Sequence, residues 1–245
     1  MILQEKELIE RRALKRRINY KNLLQNKKSY LIQKRIFDIF FSVIALTFLL
    51  LIYPVIAILI KCTSKGPVLF RQKRVGFLGS TFYCYKFRTM VVNREAHSQQ
   101  AIENDPRITR VGYFLRITNI DELPQFFNVL LGDMTIVGPR PHMHKDCYDF
   151  SKVVEDYKFR NFVKPGITGL AQVKGCRGPA TTFEAIFKRY QWDSFYVRNF
   201  GFWLDMRIIK LTIIATFKSL LFFFKKQNKN ENEVLYPVVL AENLN

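Results

Sequence analysis

The sequence predicts a monotopic membrane protein of the helix-rich α/β class, with one kinked re-entrant N-terminal helix, a small domain with short strands, and amphipathic helices at the membrane interface. Three observations support this prediction. The chain has 245 residues, of which 49% are hydrophobic, so it can bury one sizeable core. It carries 39 Lys and Arg against 20 Asp and Glu, a formal net charge of +19. A long apolar run lies near the N-terminus.

The positive charge predicts a polyanionic partner: an anionic membrane, a phosphorylated substrate or a nucleic acid. The basic residues flank the apolar run, and no nucleic-acid recognition motif occurs, so nucleic-acid binding is disfavoured. The four cysteines are scattered without a paired spacing, which argues against a zinc site or a disulfide framework. Reduced thiols facing the cytosol are therefore expected.

Composition divides the chain into four segments. Residues 1–33 are polar and basic, and they are predicted to be a helical arm that is either solvated or laid on anionic lipid. Residues 34–62 are the predicted membrane re-entrant helix. Residues 63–224 are the predicted cytoplasmic domain with its interfacial helices, and residues 225–245 are a tail.

Residues 36–60 are almost wholly apolar, interrupted by Asp38, small polar side chains and Pro54. A straight helix of this length would reach ~37 Å, enough to span a bilayer. Basic residues crowd both ends of the run, so the positive-inside rule places neither end on the far side. Pro54 removes one backbone hydrogen bond and promotes a bend. A helix that re-enters the same face is therefore favoured over a spanning helix, with a buried core helix third.

The remaining elements follow from turn residues and apolar periodicity. Short strands are predicted at 68–70, 81–87 and 134–137, between Gly-rich or Pro-rich turns. Helices are predicted at 91–103, 111–117, 126–131, 145–160, 182–199 and 203–224. Turns are predicted at 105–109 and 164–170. The last helix suits a position in the membrane interface.

The acid pair Asp121-Glu122 lies just before Pro124 and an apolar run, an arrangement typical of a helix start. Free amides and the helix dipole favour anions there. Both carboxylates can then face one site, as metal-assisted phosphoryl transfer requires: one attacks or holds the metal, and the other positions the metal or a proton. The alternative is an acid pair that only complements the dipole, worth ~0.3–1 kcal/mol for each acid.

Five other residues have more than one interpretation. His142 and His144 lack a third metal ligand and are interpreted as polar loop residues. Cys176 has no evident histidine partner and is interpreted as structural. Trp192 and Trp203 fit interfacial anchoring and core packing about equally well.

Short motifs occur in a fixed order on both sides of the acid pair. The motifs are Lys86-Phe87-Arg88-Thr89-Met90, Asp105-x-Arg107-Ile108-Thr109, Leu115-Arg116, Asp121-Glu122-Leu123-Pro124-Gln125, Asn128-Val129, Gly132-Asp133-Met134, Val137-Gly138-Pro139-Arg140-Pro141 and Pro165-Gly166-Ile167-Thr168-Gly169. Together they resemble the bacterial sugar transferases that start surface-glycan assembly, the polyprenyl-phosphate phosphoglycosyl transferases with a single membrane-embedded helix. The resemblance runs from about Lys34 to Thr216.

The resemblance implies a two-step transfer at the cytoplasmic face of the inner membrane. Asp121 would attack the β-phosphate of a nucleotide-diphosphate sugar, expected to be a UDP-sugar, and release the nucleoside monophosphate. Polyprenyl (undecaprenyl) phosphate would then take the sugar phosphate from the aspartate. Mg²⁺ is expected at Asp121, with Glu122 supporting the metal or accepting a proton.

The resemblance also assigns the remaining site residues. Four basic residues are expected to contact phosphates: Lys86, Arg88, Arg116 and Arg140. Asp193 matches a family acid and is expected near the metal, and Pro54 lies at the membrane bend. The identity of the sugar, the polymer and a homo-oligomeric state are left open.

Two other function classes remain at this point. A basic membrane-surface scaffold would bind anionic lipid without catalysis. A nucleic-acid-binding protein would show an affinity for DNA or RNA that falls steeply with salt.

Overall fold

The structure is a computed structural model that describes residues 25–92, 99–102 and 105–227, with side chains up to residue 225. The chain divides into two compact units at residues 37 and 38. In the first unit the described residues include the beginning of helix α1. The second unit contains the rest of α1 and the other described elements.

Eleven helices and strands make up the regular structure of the described residues. In chain order they are α1 (Lys28–Thr63), β1 (Leu69–Val75), β2 (Thr81–Phe87), α2 (Arg110–Ile117), α3 (Gln125–Leu131), β3 (Thr135–Val137), α4 (His144–Val153), β4 (Gly166–Thr168), α5 (Leu170–Val173), α6 (Phe183–Asn199) and α7 (Phe202–Gln227). Short 3-10 turns lie at Phe77–Gly79, Ile120–Glu122 and Tyr157–Phe162. The predicted helix-rich α/β class with short strands is confirmed.

Several boundaries differ from the prediction. Strand β1 continues through a basic stretch to Val75 because each residue from Leu69 to Val75 pairs with a residue of β2. The turn-rich segment 164–170 also contains β4, which pairs with β3 in parallel. The helix predicted at 145–160 ends at Val153, and a 3-10 turn follows.

Parts of three predicted segments lie outside the described residues: the arm up to residue 24, most of the helix at 91–103, and the tail from residue 228. The described residues 91–92 and 99–102 are not helical.

Helix α1 remains helical through Pro54. By length and composition it could cross a membrane, and only 17% of its most apolar stretch is buried. That low burial argues against the core helix of a soluble protein. The re-entrant bend at Pro54 stays a prediction.

One side of α1 packs against the domain. The residues buried on α1 within the second unit fall on one helical face: Asp38, Ser42, Leu49, Ile56 and Ile60. The apolar members pack with Phe87 of β2 and Leu115 of α2. The Asp38 carboxylate accepts hydrogen bonds from the Thr135 hydroxyl at 2.7 Å and the Ile136 amide at 3.0 Å. This acid in an apolar run is therefore a contact to strand β3.

Two small sheets support the loops of the domain. Strands β1 and β2 form an antiparallel hairpin, and inward-facing Phe82 and Cys84 pack with Val129 and Met134. Strands β3 and β4 are parallel and approach so closely that a side chain at Gly166 would meet the backbone nitrogen of Gly138 at 2.1 Å. This close approach fixes the start of the segment Pro139–His142 that follows β3.

Candidate active site

The acid pair lies in its own 3-10 turn, Ile120–Glu122, which we call the acid turn. The prediction that the acids begin the next helix is therefore wrong, because α3 begins only at Gln125, after Pro124. Asn119 separates the acid turn from α2 and adopts a left-handed conformation with φ 56°. Asparagine tolerates this region better than most residues. The side-chain amide of Asn119 donates to the Thr216 hydroxyl of α7 at 3.0 Å, and this contact holds Asn119 in place.

Glu122 is held by two cations. Its Oε1 atom lies 2.5 Å from Lys86 Nζ and 2.7 Å from one terminal nitrogen of Arg140. The second terminal nitrogen of Arg140 donates to Oε2 at 3.3 Å, so the arginine contact is bidentate. Burial alone would raise the pKa of Glu122, but Arg140 and Lys86 together hold that pKa well below its usual range. Glu122 is therefore ionised and neutralised by its partners.

Asp121 differs from its neighbour in its contacts and in the direction of its pKa shift. The residue is 7% exposed, and among the described residues its carboxylate has neither a hydrogen bond nor an ion pair. Burial raises the pKa of Asp121 to about 6, with Lys86 opposing the rise and the charge of Glu122 adding to it. At pH 7–8 the carboxylate is mostly ionised and able to attack an electrophile or to bind a cation.

Arg116 reaches the acid turn from the last turn of α2. Its Nε donates to the Thr89 hydroxyl at 2.8 Å, and its charge lowers the pKa of Asp121. Helix α2 can lie this close only because residue 112 is glycine: a Cβ there would meet the Thr89 carbonyl oxygen at 1.9 Å. Arg116 is thus placed for an anion next to Asp121.

Arg88 has a different environment. Its guanidinium donates to the carbonyls of Ser64 at 2.7 Å and Lys65 at 3.1 Å, just after the end of α1. The side chain therefore ties α1 to the segment after β2. A contact between Arg88 and a phosphate stays a prediction.

Arg177 is a site residue that the sequence analysis missed. It follows α5 in a loop, and one terminal nitrogen donates to the Asn119 side-chain oxygen at 3.4 Å. Burial lowers its pKa, and the charges of Glu122 and Asp121 oppose that effect. The signal in the sequence was a single arginine between Gly175 and Gly178, but 56 positions separate it from Asp121, so only the fold brings them together.

Asp193 was expected near the metal, and the structure places it in an ion pair. Its Oδ2 atom lies 2.8 Å from both Nε and a terminal nitrogen of Arg160. That same arginine donates to the main-chain carbonyl of Arg140 at 2.6 Å. Among the residues that the structure describes, Asp193 is thus connected to the acid turn through Arg160 and Arg140, and metal binding by Asp193 stays a prediction.

The two histidines were predicted to be polar loop residues; His142 does lie in an irregular segment but is buried, whereas His144 is the first residue of α4. His142 Nδ1 lies 2.8 Å from the Tyr157 hydroxyl, and His144 Nε2 lies 3.1 Å from the Thr81 hydroxyl. The two rings thus have separate protein partners.

A magnesium ion would suit Asp121. No cluster of three or more His, Cys, Asp or Glu side chains suited to a metal ion occurs among the residues that the structure describes. Mg²⁺ does not need one, because it is usually bound by one or two carboxylates, several waters and the phosphates of a substrate. Asp121 offers a buried carboxylate without a partner in the described part of the chain, whereas Glu122 is already neutralised by Lys86 and Arg140.

Comparison with known proteins matches a region of the chain that contains the acid turn to a recognised family. A family model described as bacterial sugar transferase matches residues 29–219. Over 185 residues the chain is 48% identical to the UDP-glucose:undecaprenyl-phosphate glucose-1-phosphate transferase of Klebsiella pneumoniae, and the match covers 75% of this chain and 40% of that protein.

Two further relatives differ in name and in the share of their length that this chain covers. The UDP-N-acetylgalactosamine-undecaprenyl-phosphate N-acetylgalactosaminephosphotransferase of Aeromonas hydrophila is 43% identical over 185 residues, 75% of this chain and 43% of its own length. The exopolysaccharide production protein PSS of Rhizobium leguminosarum bv. phaseoli is 45% identical over 190 residues, 76% of this chain and 95% of its own length. The chain thus spans about 40% of the first relative and nearly all of the last.

Proposed function

We propose that this chain, which belongs to the bacterial sugar transferase family, transfers a sugar 1-phosphate from a UDP-sugar to undecaprenyl phosphate and so initiates assembly of a surface polysaccharide or glycoconjugate. The names of the relatives supply both substrates. The observation that carries the proposal is the contrast within the acid turn: Glu122 is bound by two cations, whereas Asp121 has no protein partner among the described residues.

In the first step Asp121 is the nucleophile. A carboxylate oxygen attacks the phosphorus next to the sugar, the bond from that phosphorus to the bridging oxygen breaks, and UMP leaves with the electron pair. A buried carboxylate whose pKa is raised to about 6 is ionised at neutral pH and more reactive than a solvated one. The product is a sugar phosphate esterified to Asp121.

In the second step an oxygen of undecaprenyl phosphate attacks the same phosphorus. The bond from phosphorus to the Asp121 oxygen breaks, which regenerates the carboxylate and releases the lipid diphosphate sugar. Glu122 is a poor base while Arg140 and Lys86 hold its pKa down. We therefore assign Glu122 to orienting those two cations toward the phosphates, which preorganises charge where it develops in the transition state.

Mg²⁺ held by Asp121 and the diphosphate would neutralise charge on the donor. Arg116 and Arg177 approach the acid turn from two other elements and are proposed to contact the remaining phosphate oxygens. Arginine suits this task because its planar fork matches two phosphate oxygens at once.

The exposed surface of the second unit supports attachment to a membrane. On α1 the side opposite the domain presents large apolar side chains: Phe40, Val43, Phe48, Leu50, Leu51, Val55 and Ile58. On α7, Trp203 is 83% exposed, which favours interfacial anchoring over core packing. Because the domain contacts α1 from Asp38 to Ile60, lipid cannot surround this stretch on every side. We therefore propose that α1 enters and leaves at the cytoplasmic face of the inner membrane.

Single-cysteine labelling tests this topology. Cysteines introduced at Arg35 and Lys61 should both react with an impermeant reagent applied from the cytoplasmic side. If one of the two reacts only from the opposite side, α1 spans the bilayer and the re-entrant proposal is wrong.

A donor panel tests the activity. The purified chain with undecaprenyl phosphate and Mg²⁺ should release UMP from at least one of UDP-glucose, UDP-galactose, UDP-N-acetylglucosamine and UDP-N-acetylgalactosamine. With the active donor and no lipid, mass spectrometry should find the corresponding sugar phosphate on Asp121. A chain that binds anionic vesicles but releases no UMP from any donor would be a scaffold instead of an enzyme.

A further inference from the structure

The segment Pro139–His142, which carries Arg140, has no regular secondary structure, yet all four of its carbonyls are bonded. The donors, in order, are the Gly166 amide at 2.9 Å, an Arg160 side-chain nitrogen at 2.6 Å, an Arg74 side-chain nitrogen at 3.2 Å and the Val75 amide at 2.9 Å. Prolines on both sides of Arg140 restrict the backbone further. The main chain of Arg140 is therefore held from several directions.

The donor to the Arg140 carbonyl is itself unusual. The Arg160 and Asp193 side chains are each 2% exposed, so this ion pair is almost fully withdrawn from water. A buried pair of this kind is a weak source of stability, because the loss of hydration offsets the attraction and an apolar pair of similar size often serves as well. What an apolar pair could not provide is an N–H group directed at the Arg140 carbonyl.

The contacts form one path from Asp193 to the acid turn. Asp193 holds the Arg160 guanidinium at 2.8 Å, and Arg160 holds the Arg140 carbonyl at 2.6 Å. The Arg140 guanidinium in turn holds Glu122 at 2.7 Å. The ring of Tyr157 lies 5.6 Å from the Arg160 guanidinium and limits its movement from the side.

We propose that Asp193 and Arg160 are positioning residues that act on the transfer reaction through the main chain of Arg140. This inference rests on the proposed function. It assigns Asp193 a task in the protein interior that does not require contact with metal or substrate. A guanidinium at position 140 can engage Glu122 and a phosphate oxygen together only if its Cα stays in place, and displacements of about 1 Å are enough to slow an enzyme ~10²-fold.

A double-mutant cycle tests the inference. The variant Arg160→Met/Asp193→Leu removes the N–H donor together with both charges of the pair, so it should fold with a far-UV CD spectrum like that of the wild type. We expect the rate of UMP release in a single turnover to fall about 10- to 100-fold, with UDP-sugar binding changed by less than about 3-fold. Added to an Arg140→Lys background, the same two substitutions should produce almost no further loss.

Two more variants keep the test interpretable. Arg160→Lys retains the charge opposite Asp193 but cannot direct a planar fork at two acceptors. If the double replacement fails to fold, Arg160→Lys takes its place in the cycle. It should show the same non-additive loss of rate with Arg140→Lys. Asp105→Asn disturbs another ion pair, with Arg107, that does not involve Arg140, and it should leave the single-turnover rate per folded molecule unchanged.

The outcomes separate this inference from the proposed function. If the wild type releases UMP and the losses from positions 140 and 160 multiply, Arg160 acts independently of Arg140 and the inference is wrong while the function stands. If Arg160→Met/Asp193→Leu is folded and fully active, the inference is also wrong. A wild type that releases no UMP from any donor would overturn the proposed function and this inference with it.

Discussion

The acid turn and the Arg160–Asp193 pair use the same chemical groups at two depths in the protein. At the acid turn, the side chains of Glu122, Lys86 and Arg140 are 12%, 21% and 32% exposed, whereas Arg160 and Asp193 are each 2% exposed. Groups at the first depth can reach a ligand. Groups at the second depth can only hold other protein groups in place. Solvent access therefore separates the groups that can be reached by a substrate from Arg160 and Asp193, which can act only through other protein groups.

A second contrast lies within the acid turn itself. Glu122 and Asp121 are adjacent in sequence, but the two cations that bind Glu122 leave Asp121 without a partner among the described residues. The pKa values consequently move apart, downward for Glu122 and up to about 6 for Asp121. Two carboxylates with separated pKa values are typical of sites where each has its own task. Substitutions at the two acids and their partners can break this division, and the effects are expected to differ widely in size.

Replacing the unpartnered acid should have the largest effect. Asp121→Asn keeps the size of the side chain and removes the nucleophile, so turnover should fall by at least ~10⁴-fold. Mass spectrometry of the quenched reaction should detect no sugar phosphate on the protein. Robust residual turnover would show that the reaction does not need the Asp121 carboxylate and would remove Asp121 from the nucleophile role.

The partnered acid should matter less and in a different way. Glu122→Gln leaves Lys86 and Arg140 without their anion, and we expect a ~10²–10³-fold slower transfer, the usual effect of disturbing preorganised charge. Binding of the UDP-sugar, measured by calorimetry, should persist because Arg116 and Arg177 remain. If Glu122→Gln abolishes both binding and turnover as fully as Asp121→Asn abolishes turnover, the proposed division of tasks between the acids is wrong.

Arg140→Lys should lower the rate by about 10-fold to 100-fold, since a lysine cannot hold both oxygens of Glu122 in a bidentate contact. The measurement is the single-turnover rate at saturating donor. As a control, Lys145→Arg changes a basic residue near this segment that has no proposed role at the site, and the rate should not change. An unaltered rate in Arg140→Lys would indicate that a point charge is enough there.

The smallest predicted effect concerns stability, which Asp121→Asn should increase although it abolishes turnover. The pKa of Asp121 is raised from 3.8 to about 6 by folding, so the folded state binds the proton more tightly than the unfolded state. Stability therefore decreases as pH rises from about 4 to about 6, and above that range the ionised Asp121 costs about 1–3 kcal/mol. Asp121→Asn removes this cost.

The measurement is thermal unfolding in EDTA, with detergent held constant. Asp121→Asn should melt at a higher temperature than the wild type at pH 8, and the difference should disappear near pH 4, where both folded forms are neutral at this position. A variant that is less stable at pH 8 would mean that the Asp121 carboxylate has a stabilising partner in the folded protein.

Much of the fold could be predicted because its signals are local. Helices α2, α3, α6 and α7 were predicted from apolar periodicity and turn residues, which depend on neighbouring positions alone. Strand β4 was missed because three residues in a Gly-Pro-rich turn carry no periodic signal; its pairing with β3 depends on a segment about 30 positions earlier.

The composition of the sequence also determined that the protein is basic and has one long apolar helix. Its motifs identified the acid pair and predicted membership of the sugar transferase family, and the family model confirms that membership. Only the tertiary structure decided how each acid and arginine is used. Glu122 meets Lys86 across 36 positions, Asp193 meets Arg160 across 33, and Arg88 meets Ser64 across 24. Burial and charge at each carboxylate are set by these distant partners, so identical residue types acquire different pKa values and different tasks.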